Sequence, residues 1–140
     1  MTPRYLLDTN VVSEPLRPRP RSGLLARLRR RQRECVIAAP VWHELLFGAR
    51  LLPPASRKRK AVDRYLYEVV LEAFAILPYD AAAADWHALE RAKLQRPGRT
   101  PPFIDGQIAA VALVNDLVLV TRNVADYAGF EGLRVEDWSL

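Results

Sequence analysis

Three short aliphatic runs, separated by long stretches of helical period, constrain most strongly what this chain can become. Tyr5–Leu7 and residues 36–39 and 117–120 are continuous and apolar, and each is too short for a helix. A run without alternation suits a strand covered on both faces. Between them, apolar residues recur at spacings of three and four: Val41, Leu45, Ala49 and Leu52 after Pro40, and Val62, Leu66, Val69, Val70 and Phe74 within residues 55–74. Parallel strands need crossovers of about a dozen residues or more, usually helical. The alternation therefore predicts an α/β domain with a mainly parallel central sheet and helices on both faces. Tyr5–Leu7 followed by Val11 and Val12 predicts the first strand, and residues 75–78 a further short one. Residues 22–32, 81–95 and 103–115 predict helices.

A chain of 140 residues is the size of one domain, so residues 1–140 are read as a single unit with one site. No apolar stretch approaches the roughly twenty residues that span a bilayer, and no secretory leader is visible, which predicts a cytoplasmic protein without membrane contact. The single Cys35 lies in an apolar run and reads as a small packing residue. Twenty-one Lys and Arg against sixteen Asp and Glu leave a net charge of +5, which favours an anionic partner such as nucleic acid. The basic residues gather at Arg27 and 29–31, at 57–60, and at Arg96 and Arg99 in a Pro/Gly loop. Trp42, Trp86 and Trp138 read as packing residues, and neither His43 nor His87 is assigned a catalytic role.

In open α/β sheets, ligands bind outside the carboxyl ends of the strands. Asp8 and Asn10 follow the first apolar run, Glu44 falls early in the helix after the second, and Thr121, Arg122, Asn123 and Asp126 follow the last. Asp105 opens the helix predicted from residue 103. Were these acids to converge, two unit charges about 4 Å apart would repel by roughly 4 kcal/mol at an intermediate dielectric. A cation or a retained proton has to relieve that. The candidate donors are hard oxygens, with no cysteine pair, so Mg²⁺ or Mn²⁺ suits them better than Zn²⁺. His43-Glu44 is no zincin motif, because Phe47 stands where the second histidine would be. A Gly-rich phosphate loop and a serine nucleophile elbow are both missing.

Four segments, LLDTNVVSEPLRP, HELLFGA, IDGQIAAVAL and LVTRNVADY, together resemble the PIN-domain ribonucleases, specifically the VapC-type toxins of bacterial toxin–antitoxin pairs. The likeness runs through nearly the whole chain. It implies a PIN-like fold, metal ligation by Asp8, Glu44 and Asp105, and catalytic parts for Asn123 and Asp126. Asn123 departs from the pattern, since an acid often stands there. The resemblance further implies Mg²⁺-dependent hydrolysis of RNA phosphodiester bonds by metal-activated water, leaving a 5′-phosphate and a 3′-hydroxyl. It implies a VapB-type antitoxin and a homodimer. Arg96, Arg99 and Arg122 are the candidate RNA-binding residues. The alternatives are a PIN-like nuclease acting on DNA or in RNA maturation, and a non-catalytic nucleic-acid-binding protein.

Overall fold

A computed structural model describes residues 2–98 and 102–140. Its five strands, β1 (Tyr5–Leu7), β2 (Cys35–Ala38), β3 (Ile76–Leu77), β4 (Val118–Val120) and β5 (Val135–Glu136), form one sheet in the order β3-β2-β1-β4-β5. Every pairing is parallel. Helices α1 (Thr9–Val12), α2 (Ser22–Arg31), α3 (Ala39–Arg50), α4 (Arg57–Arg64), α5 (Leu71–Ala73), α6 (Ala81–Gln95) and α7 (Phe103–Val114) cover its two faces. Leu6, Leu7, Ile37, Leu119 and Val120 are wholly buried between them, the burial that their unbroken apolar runs predict. Trp138 is also buried and meets Tyr5 edge to face, at 4.9 Å between ring centroids.

The strand order places the site. From β1 the chain moves outward to β2 and β3, then crosses back to β4 and β5, so the order reverses between β1 and β4. Such a reversal splays the connections apart and opens a crevice at the carboxyl edge. Leu7 pairs with Val120, and the Asp8 N–H donates to the Val120 carbonyl at 2.9 Å. The ladder therefore holds Asp8 at the lip of that crevice.

Val11 and Val12 do not extend the first strand. They lie in α1, which begins because the Asp8 carboxylate accepts from the Thr9 N–H at 2.8 Å. The Asp8 carbonyl then accepts from the Val11 and Val12 N–H groups at 3.0 and 3.1 Å. Both valines are buried all the same; the apolar pattern reported their burial, and the cap decided their conformation. The helix expected over residues 55–74 starts at Arg57, where the Ser56 hydroxyl accepts from the Arg59 N–H at 3.1 Å. It passes through a π-helical stretch, Tyr65–Val70, before α5. Strand β5 was not foreseen: two residues with a single apolar side chain carry no periodic signal, and pairing with β4 makes it a strand.

Candidate active site

Asp8 is 6% exposed and bonded on both carboxylate oxygens. Oδ1 accepts from the Thr9 N–H; Oδ2 accepts from the Thr121 hydroxyl at 2.8 Å and the Tyr127 hydroxyl at 3.1 Å. Glu44 approaches from the second turn of α3, where the Thr9 hydroxyl donates to its Oε1 at 2.7 Å. Thr9 thus ties β1 and α3 together through two acids. Asp105 sits in the first turn of α7, which opens after Pro102. The loop after β4 is fixed to the β1 end: the Arg122 N–H donates to Asn10 Oδ1 at 3.1 Å, and the Asn123 N–H donates to the Thr121 hydroxyl at 3.0 Å.

The electrostatics show that the acids share one neighbourhood. Burial first, then the charges of Asp8, Asp126 and Glu44, push the Asp105 carboxyl up to about 6, with the Tyr127 hydroxyl acting in the other direction. Asp8 is raised as well, chiefly by burial and also by Asp126, against the hydrogen bonds from Thr121, Thr9 and Tyr127. Tyr127, buried beside Asp8 and Asp105, is raised far enough to remain a neutral donor. Asp126 is exposed on the 3-10 turn Val124–Tyr127, yet its charge reaches both Asp8 and Asp105.

The remaining candidates scatter. Asn123 is exposed and precedes that 3-10 turn, with no side-chain cap bond. Arg122 turns inward: its guanidinium pairs at 3.4 Å with Glu14, a fully buried carboxylate. Arg96 is exposed in the turn that ends α6, and Arg99 lies outside the described residues. Sequence reasoning missed Thr9 and Tyr127, and named Thr121 only by its place after the last strand, without a role. Each adjoins a candidate acid or amide in sequence, but only the fold shows where its hydroxyl points.

The donor set suits a hard divalent cation. Asp8, Glu44, Asp105 and Asp126 offer carboxylate oxygens, and beyond the larger effect of burial the charges of Asp8, Asp126 and Glu44 raise Asp105 by a repulsion that a dication relieves. Among the described residues no three His, Cys, Asp or Glu side chains close around one point.

A pH dependence follows for the metal-free protein. The folded carboxyl of Asp105, at about 6, holds its proton more tightly than the ordinary value of 3.8. Its contribution is most favourable below about pH 4 and is lost as pH rises through about 6. In EDTA, Asp105→Asn should therefore melt close to wild type at pH 4.5 and several degrees above it at pH 7.5. Melting curves across that range check this, and a difference independent of pH would contradict it.

Residues 5–125 match the family described as PIN domain. The chain is 31% identical over 136 residues to a tRNA(fMet)-specific endonuclease VapC of Shigella flexneri, covering 97% of this chain and 98% of that protein. It is 37% identical over 125 residues to Toxin FitB of Neisseria gonorrhoeae, covering 87% and 89% respectively. Among solved structures, FitAcB from Neisseria gonorrhoeae superposes with a TM-score of 0.86 at 32% identity, over 96% of this chain and 97% of that one.

Proposed function

This chain belongs to the PIN domain family, and we propose that it is a divalent-metal-dependent endoribonuclease serving as the toxin of a toxin–antitoxin pair. The observation that carries the reading is the coupling of Asp105 to Asp8, Glu44 and Asp126 at the strand-order reversal. The proposed cation is Mg²⁺ or Mn²⁺, with Asp8, Glu44 and Asp105 as its ligands. A divalent cation held there supplies Lewis acidity, lowering the pKa of water and neutralising charge that gathers on the phosphate.

The protein's own groups supply the positioning. Thr121 and Tyr127 fix Asp8 Oδ2, so that this carboxylate cannot swing away from the crevice. Thr9 does the same for Glu44. Asp126 and Asn123, both exposed, are assigned in this proposal to orienting water or substrate. Arg96 and Arg99 are assigned to RNA phosphates, where each neutralised phosphate steepens the salt dependence of binding. Arg122, engaged by Glu14, instead holds the loop that carries Asn123.

The proposal includes a cognate antitoxin, a homodimer and a cytoplasmic location. Among the described residues no helix is long and apolar enough to cross a membrane. The test is incubation of antitoxin-free protein with total RNA in Mg²⁺, Mn²⁺ or EDTA, followed by mapping of the cut ends. Metal-dependent cuts at a few sites, with 5′-phosphate and 3′-hydroxyl ends, are expected. Folded protein that cuts DNA alone, or nothing, would overturn the assignment.

A further inference from the structure

Phe103, the first residue of α7, stands two positions before Asp105 and is 48% exposed. Its ring is held from within. The His87 ring lies 5.0 Å away, tilted by 48°, and His87 is buried with Nδ1 2.8 Å from the Tyr79 hydroxyl. From α6 the Arg91 guanidinium covers the ring, with Cζ 4.9 Å from the centroid. Among the described residues no carboxylate pairs with Arg91 at ion-pair distance. The start of α7, two residues ahead of Asp105, thus carries a backed, half-exposed aromatic ring beside a guanidinium that no described carboxylate pairs at ion-pair distance.

We infer that Phe103 and Arg91 form a stacking platform for one unpaired nucleobase of a single-stranded RNA. The inference rests on the ribonuclease reading for its ligand and on the Phe103 geometry for its place. Unpaired bases are recognised by stacking on aromatic rings and guanidinium planes, because every base presents a π-face. Exposing half of a phenylalanine to water is unfavourable on its own, and a base laid on it removes that surface. Arg91 adds a cation beside the ring for the strand's phosphates. His87 and Tyr79 keep the ring from turning to follow the base, so the platform is formed before the RNA arrives.

The test separates this inference from the ribonuclease reading by measuring binding apart from cleavage. A labelled single-stranded RNA 12-mer is titrated in EDTA against wild type, Phe103→Ala, Phe103→Leu and Phe103→Trp. The same series is repeated with an abasic residue at each position in turn. Phe103→Ala and Phe103→Leu should each weaken binding about tenfold, the scale of one stacked base, and Phe103→Trp should restore it. At one position the abasic RNA should bind wild type about tenfold more weakly and the Phe103→Ala protein no more weakly than intact RNA does. Full affinity in Phe103→Leu would show that bulk alone matters, and additive losses would show that no base meets the ring; either overturns the platform. A change in oligomeric state on Phe103→Ala, without the abasic signature, would assign the ring to a protein contact and overturn it as well. Wild type that binds the RNA but never cleaves RNA in Mg²⁺ or Mn²⁺ would sink the ribonuclease reading while leaving the platform to be judged on binding. Wild type that binds no RNA would remove both.

Discussion

Replacing Asp8 or Asp105 by asparagine should lower RNA cleavage by at least about a hundredfold, the scale on which metal sites respond to loss of their supporting groups, and should leave the fold in place. Asparagine keeps the size of each side chain and removes the negative charge. In Asp105→Asn the substitution also relieves repulsion from Asp8, Asp126 and Glu44, so this variant should be at least as stable as wild type in EDTA. In Asp8→Asn the amide oxygen can still accept from the Thr121 and Tyr127 hydroxyls, but the amide NH2 then stands where Oδ1 accepted from the Thr9 N–H, so this variant should lose that cap and melt below wild type. Loss of activity in Asp105→Asn would therefore report lost charge, and in Asp8→Asn the melting temperature separates lost charge from the lost cap. Single-turnover cleavage of a mapped RNA, read beside the melting temperature and the dependence on Mg²⁺, checks this. Full cleavage by a well-folded Asp8→Asn protein would contradict the metal assignment.

Gly106→Ala should destabilise the protein by about 3 kcal/mol, roughly 10 °C of melting temperature, and should also reduce cleavage. A Cβ at Gly106 would lie 2.1 Å from His87 Nε2 and 2.7 Å from its Cδ2. His87 cannot step aside cheaply: it is buried, stacked against Phe103 and held at Nδ1 by Tyr79. The clash has to be relieved by moving α6 and α7 apart, and Asp105, the residue before Gly106, moves with α7. The second substitution His87→Ala vacates the contested space, so the double variant should recover part of the stability that Gly106→Ala alone loses. Additive losses in that double-mutant cycle would mean that the two side chains do not meet. Chemical denaturation of the four proteins, together with their cleavage rates, decides it.

Several elements were legible without coordinates, for physical reasons. Residues 81–95 read as a helix, and α6 spans Ala81–Gln95, opened by the Asp80 carboxylate accepting from the Ala83 N–H at 3.0 Å. Cap and periodicity are both local, so local sequence is enough. The same holds for the continuous apolar runs that became β1, β2 and β4. Val11 and Val12 mark the limit of pattern reading, since the hydrophobic effect is indifferent to whether a buried valine lies in a strand or a helical turn.

The site divides along the same line. The position of Asp8 after the first apolar run and of Glu44 after the second pointed to acids at the carboxyl ends of strands, and Asp105 reads as an acid at the start of the helix from residue 103. The residues alone determined which side chains carry charge and that their oxygens suit a hard cation. The tertiary structure decided how they interact: the order reversal at β1 opens the crevice, Thr9 joins Asp8 to Glu44, and Tyr127 settles between Asp8 and Asp105. It also turned Arg122 inward to the buried Glu14. Charge and hydropathy belong to single residues and are read directly. Hydrogen bonds between residues more than a hundred positions apart, such as that from Thr121 to Asp8, exist only once the sheet has brought their strands side by side.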